Sequence, residues 1–93
     1  MSYDTILSTF GLTPSSDLTE NEVLRLVGME IARMLSTDRA KLINLAYRLD
    51  IDERRFEACF RDAKDNEEIA SSLATLFFER EKNKFLHRQN HAV

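Results

Sequence analysis

This chain has little of what makes turns and sheets. Two glycines and one proline in 93 residues leave few positions for hairpin turns. Valine is scarce, while alanine, leucine, glutamate, arginine and lysine are abundant, a balance that favours helix throughout. A single cysteine excludes an internal disulfide and fits a reducing compartment, so a cytoplasmic location is expected. No apolar run exceeds three residues, far below the ~20 that a membrane-spanning helix needs. No charged leader precedes an apolar signal segment. The formal net charge of −3 comes from interspersed charges of both signs, which is not the basic footprint of a nucleic-acid module. Gly-rich phosphate loops, nucleophile elbows and His–Glu metal pairs are missing as well. No catalytic residue, cofactor or metal site is assigned on these grounds, and an enzyme is not expected.

What is present reads as an all-α chain: a single domain over residues 1–93, built as a compact bundle of five helices. Residues 1–16 are expected to attach loosely and 88–93 to form a frayed tail. Ser2 to Phe10 forms a short first helix with Ile6, Leu7 and Phe10 on one side. Gly11 suits the left-handed position that ends it, and Pro14 follows. Thr13 to Ser16 is the one loop-rich stretch and a candidate hinge. Thr19 and Glu22 form a capping box that starts a second helix running to about Leu35, with Val23, Val27, Ile31, Met34 and Leu35 as its buried stripe. Gly28 within it marks a close helix crossing. Asp38 caps a third helix, Arg39 to Leu49, with Leu42, Leu45, Ala46 and Leu49 on its inner face.

Asp52 caps a fourth helix. Ile51 before the cap and Phe56 four residues after it have the spacing of a hydrophobic staple. Phe56, Cys59 and Phe60 form the inner face, and these apolar neighbours make Cys59 a structural thiol rather than a nucleophile. Asp65 caps the fifth and longest helix, which extends to about His87. His87 and His91 are four apart, but no carboxylate or thiolate lies nearby in sequence, so a solvated tail is expected there rather than a metal site.

The stretch from Leu42 to Arg61 resembles the helix-turn-helix of arabinose-type transcription regulators. Ala46 matches the small residue of the first helix. Ile51 and Phe56 match the apolar positions flanking the turn, and Phe60 falls one turn later. The resemblance implies that Arg54, Arg55 and Arg61 face DNA. Asp50 stands where that motif has glycine, and Glu53 and Glu57 lie on the reading helix, where they face phosphates unfavourably. Nucleic acid is therefore the alternative partner, not the leading one.

The fifth helix supports the leading expectation. Ile69, Leu73 and Leu76 form one stripe, Ala70, Ala74 and Phe77 a second, and Phe78 and Phe85 lie nearly opposite. The apolar arc is wider than the ~100° stripe of a surface helix. Such a helix is either central to the bundle or an interface. Phe78 and Phe85, with Phe10, are the candidate interface residues, since large aromatics are the usual anchors. The function expected is a non-catalytic helical interaction module, self-associating through its last helix or binding another protein. A domain this small buries only ~60–65% of its unfolded surface, so a second subunit adds core.

Overall fold

The computed structural model describes residues 3–13 and 17–91, the side chains of 84–91 excepted. Among these residues the chain is all-α: α1 (Asp4–Thr9), α2 (Glu20–Thr37), α3 (Arg39–Arg48), α4 (Glu53–Arg61) and α5 (Asn66–His91). The start of each helix after the first follows from local chemistry. Thr19 Oγ1 accepts from the Glu22 amide at 3.2 Å while the Glu22 carboxylate accepts from the Thr19 amide, closing the capping box of α2. Asp38 accepts from the Lys41 amide at 3.1 Å. Asp52 accepts from the amides of Arg54 and Arg55 at 2.9 and 3.4 Å. Asp65 accepts from the Glu68 amide at 2.9 Å, and the Glu68 carboxylate reaches back to the Lys64 amide at 2.8 Å. Each bond satisfies an amide that the helix start would otherwise leave free.

Two helix ends use the same device. At the end of α1 the Leu12 amide donates to Leu7 O and the Gly11 amide to Ser8 O, with Gly11 at φ +72°. At the end of α3 the Ile51 amide donates to Ala46 O and the Asp50 amide to Tyr47 O, with Asp50 at φ +57°. Both are Schellman motifs, in which one left-handed residue lets two amides fold back on the helix. Glycine fills that position at no steric cost, and aspartate is among the few other residues that tolerate it.

Packing centres on α5. It lies along α2, which carries α3 on its flank, and α1 and α4 pack onto α5. Leu7, Val23, Val27, Ile31, Leu73 and Phe77 are fully buried in one core cluster. Phe10 meets Phe77 edge-on, centroids 5.3 Å apart, and Tyr3 packs on Phe78 at 5.5 Å. Gly28 faces Ala74 where α2 and α5 meet, and a Cβ built on it lies 3.8 Å from the Ala74 Cβ. The crossing is made of small residues, yet it has room for one more methyl.

Several expectations are corrected here. The first helix begins at Asp4, after Tyr3, with no side-chain cap; Ser2 lies outside the described residues. The helix is not a loose attachment, because Ile6, Leu7 and Phe10 are all core residues. The second helix runs to Thr37, one half-turn beyond Leu35. Of the suggested hinge and the frayed tail, residues 14–16 and 92–93 lie outside the described residues; α5 itself continues to His91.

Candidate functional site

Two of the three aromatics expected at an interface are buried. Phe78 is 3% exposed and Phe10 is 5% exposed. Neither is available as an interface anchor. The physical reason is α1, which folds back over α5 and covers its second apolar face from within the same chain. Phe85 carries the remaining part of that expectation, and its side chain lies outside the described residues, as do those of His87 and His91.

Exposed apolar surface is found on α3. Ile43 and Tyr47 on α3 are 45% and 74% exposed. They stand four residues apart, one above the other on the helix. The Schellman turn at Asp50 and the cap at Asp52 bring α4 up beside them within four residues. Ile51 and Phe56, the two halves of the staple, then close the other wall. The result is a cleft of about 180 Å³ between α3 and α4, lined by Ile43, Tyr47, Ile51 and Phe56 and rimmed by Glu53 and Glu57.

The wall made by α4 is shallowly seated. The helix is strongly amphipathic, but none of its residues is fully buried. Phe56 and Phe60, rings 5.3 Å apart, and Cys59 are only half-covered by the core. An ion pair from Arg55 to Glu79 of α5, at 3.2 Å between exposed side chains, holds the outer edge. Such a pair contributes under about 1 kcal/mol.

The three arginines of the helix-turn-helix reading are dispersed. Arg55 is turned towards Glu79, Arg61 pairs with its neighbour Asp62 at 3.2 Å, and Arg54 is exposed on the first turn of α4. Glu53 and Glu57 are exposed on the same helix. At the turn, Asp50 adopts the left-handed conformation usually given to glycine.

A wider cleft of about 490 Å³ lies between α4 and α5, lined by Arg55, Cys59, Asp62, Glu68, Ser71 and Ser72. Burial pushes the Cys59 thiol above its ordinary value, and nearby Arg55 only partly offsets this. Among the described residues no three His, Cys, Asp or Glu side chains are placed to hold a metal. No helix among them is long and apolar enough to cross a membrane.

Ile43 and Tyr47 escape a reading of the sequence because Leu42, Leu45 and Leu49 already supply α3 with an inner stripe. The usable signal is the second apolar pair at i, i+4, rotated off that stripe. No protein-family model, no curated protein and no solved structure matches the chain.

Proposed function

We propose that the protein is a non-catalytic helical module that works by protein–protein contact through its α3–α4 face. One observation carries this reading. Two large apolar side chains, Ile43 and Tyr47, stand exposed beside the half-buried Phe56 in a concave, acid-rimmed setting. Single exposed apolar residues are ordinary, as Met29 on α2 is here. A cluster with an aromatic at its centre and carboxylates at its edge is the anatomy of an interface, with anchors inside and a polar rim. The earlier expectation of self-association stays within this reading, moved from Phe78 to the α3–α4 face.

The test is a photo-crosslinking phenylalanine analogue placed at Tyr47, with a second placed at exposed Lys41 as a control. A discrete crosslinked protein at position 47 only, lost when Ile43→Glu is added, is the expected result. No crosslink at 47, or equal crosslinks at both positions, overturns the reading.

The local turn geometry at Asp50 favours one second reading, a DNA-binding regulator. Its check is an anisotropy titration against random duplex in low salt. Micromolar binding abolished by Arg54→Ala with Arg55→Ala supports that alternative; absence of binding removes it.

A further inference from the structure

We infer that the occupant of the α3–α4 cleft is the C-terminal segment of a second copy of this chain, exchanged reciprocally in a twofold dimer. The inference rests on the docking role of that face and names what fills it.

Three observations lead to it. The first is charge. The two charged residues that line the cleft, Glu53 and Glu57, are both acidic. From Lys82 to Val93 the chain carries Lys82, Lys84 and Arg88 and no acidic residue. Carboxylates at the cleft and cations on the segment can pair across a contact and fix its orientation.

The second is size. A cavity of about 150 Å³ lined by apolar side chains holds a benzene ring. The cleft, at about 180 Å³, has Ile43, Tyr47, Ile51 and Phe56 for walls. The basic segment contains one aromatic, Phe85, followed by Leu86. One ring flanked by cations matches one apolar recess flanked by carboxylates.

The third is position. In a twofold dimer the same patch serves both subunits, so a donor and an acceptor that lie close together on each chain can be exchanged reciprocally. The two lie close here. Ile51 lines the α3–α4 cleft and also a smaller hollow of about 160 Å³ that it shares with Asp50, Arg80 and Asn83 of α5. α5 therefore passes beside this corner at Asn83, where the basic segment begins. A second copy turned about that corner offers its segment to the first cleft and receives the first segment in its own. The association closes at two and leaves no free donor to build a fibre.

The experiment uses two full-length variants and sedimentation equilibrium. Phe85→Glu disables the donor and leaves the cleft intact. Tyr47→Glu disables the acceptor and leaves the segment intact. Circular dichroism establishes that both are folded. A charge-reversed donor, Lys84→Glu with Arg88→Glu, serves if Phe85→Glu does not fold. The wild type is expected to be a concentration-dependent dimer. Each variant alone should raise the dimer dissociation constant at least about tenfold, the loss typical of a central anchor. Mixed in equal amounts, the two should form a heterodimer, because one good segment then meets one good cleft. Charge reversal of the donor should be rescued by Glu53→Lys with Glu57→Lys.

A monomeric wild type at high concentration overturns the inference. So does a dimer indifferent to the donor variants, a mixture that stays monomeric, or charge reversals that do not compensate. If the Tyr47 crosslink forms with a different protein while the purified chain is monomeric, the inference fails and the docking role stands. If Tyr47 makes no crosslink at all, the docking role fails with it.

Discussion

The Arg80 guanidinium of α5 donates to the backbone oxygen of Leu49, the last residue of the α3 end, at 3.3 Å across 31 positions of sequence. The carbonyl is one that α3 leaves unpaired as it ends, so a cation there also meets the negative end of the helix dipole. The same side chain approaches Asp50 at 3.4 Å, but that carboxylate is 88% exposed and the pair is screened. Arg80→Met, which keeps much of the apolar stem, should cost about 1 kcal/mol, the worth of one part-exposed hydrogen bond. Asp50→Ala should cost less through the ion pair alone. Urea melts of both rank them; equal losses would mean that the Leu49 contact contributes nothing.

Asp50 offers a separate test through its backbone. At φ +57° a residue with a Cβ pays a steric cost that glycine does not. Asp50→Gly should therefore raise stability or leave it unchanged, with a gain of at most about 1 kcal/mol against the extra freedom glycine brings to the unfolded chain. Asp50→Val, β-branched at the same angle, should cost about 1–2 kcal/mol. Thermal melts of the pair decide this. A loss on Asp50→Gly larger than that on Asp50→Val would show that the carboxylate matters more than the backbone.

Gly28 lies inside α2, where glycine is about 1 kcal/mol worse than alanine. The Cβ of alanine would sit 3.8 Å from the Ala74 Cβ, ordinary van der Waals contact. Gly28→Ala is expected to stabilise by up to about 1 kcal/mol and to raise Tm by several degrees. Gly28→Leu should instead push α2 from α5 and destabilise by about 1–3 kcal/mol. Destabilisation by alanine would mean that the crossing tightens in solution.

How far the sequence reveals this fold depends on how local each feature is. Thr19, Asp38, Asp52 and Asp65 cap their helices because a side-chain oxygen meets an amide two or three residues away, and spacing alone exposes that. The inner stripes of α2 and α3 follow in the same way from helical periodicity. Phe78 is different. Its periodicity shows that a face of α5 is apolar, but not whether α1 or a second chain covers it. The six-residue α1 is too short for its own pattern to announce a docking partner. Ile43 and Tyr47 were hidden for the converse reason: with the inner stripe of α3 assigned, nothing local showed whether a neighbouring helix covers the second apolar pair. The contact of Arg80 with Leu49 joins positions 31 apart and leaves no local trace.

The last test separates core from interface at Phe78. Its ring is 3% exposed and rests on Tyr3. Phe78→Glu would place a carboxylate in an apolar interior with no partner, a change costing more than about 4 kcal/mol. For a domain of this size, with about 5–15 kcal/mol in all, that brings the chain close to unfolding. Tyr3→Ala should cost less, about 1–2 kcal/mol, by stripping one half-buried ring from its cover. Circular dichroism melts read both, and sedimentation shows whether association changes. If Phe78→Glu stays folded, melts near the wild-type temperature and dissociates, then α1 does not cover that face in solution and the ring belongs to a contact between chains. Loss of helicity on Phe78→Glu, with the milder loss on Tyr3→Ala, places the ring in the core of one chain.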